Sequence, residues 1–108
     1  MTKKWTERLR ESEEGRRLIE QERLIMQATE AIATLLQEQG VSRAELARRI
    51  GKSPAFVTKL LRGDSNLTLR TLSDVFFALN HSAHLSLSGI GEEIELSVKE
   101  FRQFKVRL

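Results

Sequence analysis

Apolar residues recur at helical spacing through the first eighty residues of the chain, then switch to alternation. Leu18, Ile25 and Ile32 repeat every seven positions, with Ala28 and Leu35 between them and Leu36 beside Ile32 on the same face. Glu and Arg fill the other positions, so this stretch predicts one long amphipathic helix. Three shorter stripes follow: Leu46, Ala47 and Ile50; Val57, Leu60 and Leu61; and Leu69, Leu72, Val75, Phe76 and Leu79. Beyond residue 80 the period falls to two. His84-Leu85-Ser86-Leu87-Ser88 alternates, as do Glu93 to Lys99 and Phe104 to Leu108, which predicts two or three strands. Gly89-Ile90-Gly91 would be the hairpin loop. Ile94, Val98 and Phe101 also fit a helical face, so helix stays open for 94 to 104.

The punctuation agrees with the stripes. Gln39-Gly40 ends the long helix. Ser42 is placed to cap the next one, with Glu45 three residues on to complete a capping box. Gly51 falls where a left-handed C-cap needs glycine. Ser53 caps the following helix, Pro54 takes its first position, and Gly63 ends it. Thr68 caps the last helix, and Asn80 suits the left-handed position after it. Near the start, Ser12 and Gly15 separate a short helix around Thr6 to Arg10, where Trp5 and Leu9, four apart, make an apolar spot. That spot is either packing on the bundle or an interaction surface.

Two short helices joined by a glycine-centred turn, with the small Ala47 where they must cross, describe a helix-turn-helix. On a helical wheel Ala55, Thr58, Lys59 and Arg62 lie opposite Val57, Leu60 and Leu61, and that outer face carries no acid. Charge is focused in the same place. Residues 41 to 70 hold seven bases and two acids, a balance of +5. The whole chain is +3, so the remainder sums to −2. A polyanion is the partner this placement implies.

The segment from Ser42 to Gly63 resembles the helix-turn-helix of the Cro/phage-repressor (Xre-like) family. The similarity rests on Glu45-Leu46-Ala47 followed by Gly51, on Ser53 before the second helix, on Val57 at its core and on Gly63 closing it. It continues through Asn66-Leu67-Thr68-Leu69-Arg70-Thr71-Leu72 and Phe76 to Asn80, so it covers roughly residues 25 to 80. The resemblance implies a mainly α, lambda-repressor-like bundle of four to five helices with a short C-terminal β-strand extension. The resemblance, the break at Ser12 and Gly15 and the alternation after residue 80 together divide the chain into an N-terminal extension with a short helix (1–17), a DNA-binding domain (18–80, recognition helix 53–62) and a strand-rich tail (81–108) suited to dimerisation, since a lone hairpin needs a neighbour.

The resemblance also implies roles. Pro54, Ala55, Phe56, Thr58 and Lys59 would face bases, Lys59 donating to guanine and the methyls of Ala55 and Thr58 touching thymine. Phe56 would either touch a thymine methyl or pack on the first helix. Ser42, Arg43, Lys52, Ser53 and Arg62 would grip phosphates, joined by Ser65, Asn66, Thr68 and Arg70 from the following loop and helix start. Relatives often carry Gln or Arg where this chain has Pro54 and Ala55, so direct reading of bases should be thin and shape readout larger.

Composition narrows the classes. A chain of 108 residues suits one domain. No cysteine means no disulfide framework and no zinc finger. No run of about 18 apolar residues exists for a membrane span. The charged N-terminus lacks the apolar core of a secretory signal. His81 and His84 lie three apart with no third ligand near, so no metal is expected. No nucleophile elbow or glycine-rich phosphate loop occurs, so neither an enzyme nor a cofactor is expected. Three readings follow. The first is a cytoplasmic, nucleoid-associated regulator, a homodimeric repressor reading palindromic double-stranded DNA. The second is an antitoxin of the HigA kind, which would also neutralise a toxin. The third is a helical adaptor with no DNA role.

Overall fold

The computed structural model describes residues 7, 8, 11–64 and 66–90. It is an all-helical bundle of four helices among those residues: α1 (Glu13–Gln39), α2 (Arg43–Ile50), α3 (Pro54–Leu61) and α4 (Leu69–Ala78). Of the short helix expected around residues 6 to 10, Glu7 and Arg8 are described, and both are helical.

Each helix begins on a hydroxyl. Ser12, Ser42, Ser53 and Thr68 have extended backbones, and their side-chain oxygens accept from the N–H three residues ahead, on Gly15, Glu45, Phe56 and Thr71 at 2.9 to 3.1 Å. These oxygens satisfy donors that a helix start leaves unpaired. Each helix also ends alike, on a left-handed residue: Gly40, Gly51, Gly63 and Asn80. At α3 the N–H of Gly63 donates to Leu60 O (3.1 Å) and that of Asp64 to Lys59 O (3.1 Å), the paired bonds of a Schellman motif. Gly63 is doubly required. Its φ is +75°, and a Cβ there would stand 3.0 Å from Ile25 Cγ2 of α1.

The core is Ile32 and Leu36 from α1, Leu46 and Ala47 from α2, Val57 and Leu60 from α3, and Val75 with Leu79 from the end of α4. α2 packs on α3 and α4, and α1 packs on α3. Ala47 is buried at its helix crossing, where a larger side chain would push α2 and its neighbours apart. Each fully buried leucine or valine contributes roughly 1.5–3 kcal/mol relative to leaving it in water, so packing, not the short helices themselves, holds α2 and α3.

The last helix is anchored at its C-terminal end by three side chains. Gln39 Nε2 donates to Leu79 O (2.8 Å), Arg49 Nη1 to Ala78 O (3.1 Å), and the His81 ring nitrogen Nδ1 lies 2.7 Å from Leu79 O. These bonds tie α1 and α2 to carbonyls that the helix end leaves open.

Three expectations need correction. The predicted stripe of α1 is buried only at Ile32 and Leu36; Leu18, its first member, is 43% exposed. The spacing was helical, but α2 to α4 reach only the C-terminal part of a helix that is about 40 Å long at 1.5 Å per residue. Leu69, counted with the core, is 71% exposed because it is the first residue of α4. The strand expected over 84–88 is not formed among the described residues; residues 81–89 carry neither helix nor strand. A strand exists only through a ladder with a neighbour. Its expected partners, 93–99 and 104–108, lie outside the described residues, as do Trp5 and Leu9.

Candidate nucleic-acid interface

The turn between α2 and α3 is three residues long, Gly51-Lys52-Ser53, and it sets α3 across α2 with its apolar side on the core. Burial of Val57 and Leu60 leaves the other side of α3 outward: Pro54, Ala55 and Lys59 are exposed and Thr58 is half-buried. No acid stands on α3 itself. Its start is shaped for a close approach. Pro54 has no N–H to satisfy, and Ser53 Oγ takes the N–H of Phe56 at the positive end of the helix. Ser53 still has its own hydroxyl proton to donate, and so does Ser42 at the start of α2.

The structure groups most of the expected phosphate set around this helix. Arg43 and Lys52 are exposed at the start of α2 and just ahead of α3, and Arg62 is exposed at the end of α3. Asn66, Thr68 and Arg70 are exposed along the following loop and the start of α4; Ser65 lies outside the described residues. Thr68 differs from the two serines. Its Oγ1 caps α4 and also donates to Thr71 Oγ1 at 3.0 Å, so its proton is used within the cap.

Several charges are held in ways the sequence reading did not foresee. Glu45 does not close a capping box. Ser42 accepts from its N–H, but its carboxylate turns away to Arg48 (2.9 and 2.6 Å) and Arg49 (2.9 Å). Three charge-assisted bonds to two guanidinium groups outweigh one to a neutral backbone N–H. The spacing of three and four residues was a legible sign of this pairing. The consequence is electrostatic: one carboxylate shared by two guanidinium groups offsets one of their two charges on α2, leaving Arg43, Lys52, Lys59 and Arg70 as the less compensated positive charges of the motif. Arg62 Nε is 3.3 Å from Asp64 Oδ2, an exposed pair at the far end of α3. Phe56 is half-buried against the core, and Lys52 Nζ sits 5.4 Å from the centroid of its ring.

The hydrogen bond from Arg48, and then that from Arg49, holds the Glu45 carboxyl at about 2, well below its usual 4.5. The same pairing raises Arg48. A carboxylate depressed by folding adds stability that is present above its unfolded value and is lost as pH falls towards its folded one. The thermal midpoint of the wild type should therefore exceed that of Glu45→Gln at neutral pH. The gap should close between about pH 4.5 and 2, read by circular dichroism melts across that range; a constant gap would refute the linkage.

Among the described residues no group of three or more His, Cys, Asp or Glu side chains is placed to hold a metal ion. No helix among them is long and apolar enough to cross a membrane. A shallow open groove lined by Ala33, Leu36, Val41, Arg43 and Leu61 lies where α1 meets α2. Residues 32–80, which span the end of α1 and all of α2 to α4, match the family model described as helix-turn-helix. No curated protein and no solved structure matches the chain.

Proposed function

From the premise that residues 32–80 are a helix-turn-helix domain of the Cro/phage-repressor (Xre-like) family, we propose that this protein is a sequence-specific DNA-binding regulator that inserts α3 into the major groove. One observation carries the reading. The outward face of α3 is solvent-exposed, acid-free and flanked by cations at both ends, while its inward face is fully engaged in the core. A generic helical hairpin has no need of such a face. Lys59 is the base reader of this proposal, with Ala55 and Thr58 beside it and Pro54 setting the helix start. Arg43, Lys52, Ser42, Ser53, Arg62, Asn66 and Arg70 hold phosphates, and Ser65 is carried with them by resemblance.

A regulator of this kind acts as a homodimer whose two recognition helices stand about one DNA turn, roughly 34 Å, apart to read a palindrome. Exposed Leu69 and Phe77 lie on one face of α4 and offer an apolar surface for the second copy. The second reading, an antitoxin, has its own support. Leu18, Leu24 and Met26 before the matched segment, and Leu85, Leu87 and Ile90 after it, are exposed apolar residues that DNA binding does not use. A toxin would be a natural occupant, and the product of a neighbouring gene is the one to test. Neither reading involves catalysis or a cofactor, and both place the protein with the nucleoid in the cytoplasm.

The test is binding of the purified protein to DNA from upstream of its own gene against scrambled competitor, with Lys59→Ala alongside. Wild type should select its own site. Lys59→Ala should lose about 1–3 kcal/mol there, roughly 5- to 150-fold, with little loss on scrambled DNA. Equal binding of wild type to every DNA, or none, would remove the regulator reading.

A further inference from the structure

The geometry points to Phe56 as a positioning residue that holds Lys52 at the entry of α3, and not as a contact to a thymine methyl; this rests on the DNA-binding reading above. The ring has two faces. One side of Phe56 packs on the core cluster, and the Lys52 ammonium lies 5.4 Å from the ring centroid, inside the roughly 6 Å range of a cation–π contact. The half-buried ring is thus engaged by the core and by this ammonium within the protein itself. The lysine backbone is fixed as well. Its N–H donates to Ala47 O at 2.9 Å, in the bond that ends α2, and the next residue caps α3. Backbone and ammonium are thus both held, and the charge is stationed beside the first turn of the recognition helix.

The other end of the helix is built on a similar plan. Arg62 is held by Asp64 at 3.3 Å. An eight-residue helix is roughly 12 Å long at 1.5 Å per residue, close to the width of about 12 Å of the major groove. Cations anchored at both ends of such a helix are placed for the two phosphate walls while the residues between them face bases. Phe56 acts here through Lys52 alone: it tunes affinity and salt dependence and leaves base preference to Lys59.

The experiment has two arms. In the free protein, the side-chain methylene protons of Lys52 should be shifted upfield by the ring in NMR spectra, and Phe56→Leu should abolish the shift. On the selected DNA site, Lys52→Met should lower the slope of log affinity against log salt by about 0.9. Phe56→Leu should weaken binding about two- to fivefold at low salt, the worth of an exposed cation–π contact, with site preference unchanged. The double variant should bind no more weakly than Lys52→Met. Lys52→Arg, which can also stack, should bind like wild type. Additive losses, a changed preference at a thymine position in Phe56→Leu, or an unshifted Lys52 would overturn the assignment while the regulator reading stands. Wild type that selects no site would overturn both. Should Phe56→Leu fail to fold by circular dichroism, the wild-type ring shift and the contrast of Lys52→Met with Lys52→Arg still decide it: binding equal in all three overturns the role.

Discussion

Leu46→Ala should lower the free energy of unfolding by about 2–5 kcal/mol, the cost of removing a buried leucine and leaving a cavity. Leu46 is fully buried, and its helix is the one that meets both α3 and α4. α2 is only eight residues long and cannot stand without that packing. A small domain has only about 5–15 kcal/mol in total, so the variant should melt roughly 10–40 °C below the wild type. Leu46→Met keeps the volume and should cost less than about 1.5 kcal/mol. Leu24→Ala, at a residue 64% exposed on α1, should change stability by less than about 0.5 kcal/mol. Urea unfolding followed by circular dichroism measures all three. A loss below about 1 kcal/mol in Leu46→Ala would mean that the crossing of α2 with its neighbours is not the keystone of the fold.

The contrast between Leu46 and Leu18 shows what the sequence could and could not reveal. Caps and stops are local. Ser42, Ser53 and Thr68 bond to an N–H three residues ahead, and Gly40, Gly51, Gly63 and Asn80 each fulfil a backbone demand set by their own helix. Every such position was legible because sequence neighbours decide it. The spacing of Leu18, Ile25 and Ile32 was equally clear, but whether an apolar face is covered depends on what stands opposite, and Leu18 stays 43% exposed. The alternation over 84–88 has the same weakness, since a strand needs a ladder that no single segment supplies.

The candidate interface divides along the same line. The outward face of α3 was readable from one wheel, because burial of Val57 and Leu60 determines what faces away. How its cations are held was not. Glu45 had two possible uses, the backbone of Ser42 or the guanidinium groups of Arg48 and Arg49, and competition between bond strengths chose the second. Spacing places Phe56 between a base and the core, and the structure adds Lys52 as a third neighbour that spacing alone does not suggest. This matters for function, because net charge over a segment overstates what can reach a phosphate. Charges already paired with a carboxylate have less to gain from a new anion than the open ones beside them.

That distinction yields the second large effect. With Arg43, Lys52, Arg62 and Arg70 each neutralising one phosphate, log affinity should fall with log salt at a slope of about −3.6 per protomer. Between 50 and 200 mM salt this is roughly a 150-fold loss, and two protomers bound together would square it. If Arg62 instead stays with Asp64 in the complex, about three phosphates remain, the slope is near −2.7 and the loss is roughly 40-fold. Asp64→Asn separates the cases, since freeing Arg62 should then steepen the slope by about 0.9. The same salt series on Glu45→Gln should reveal whether Arg48 and Arg49, once released, join the phosphate set. Fluorescence anisotropy on the selected site, repeated at four or more salt concentrations, gives these slopes directly. A wild-type slope shallower than about −1 would mean that the exposed cations around α3 do not meet a phosphate backbone, and the interface would have to be sought for a partner other than nucleic acid.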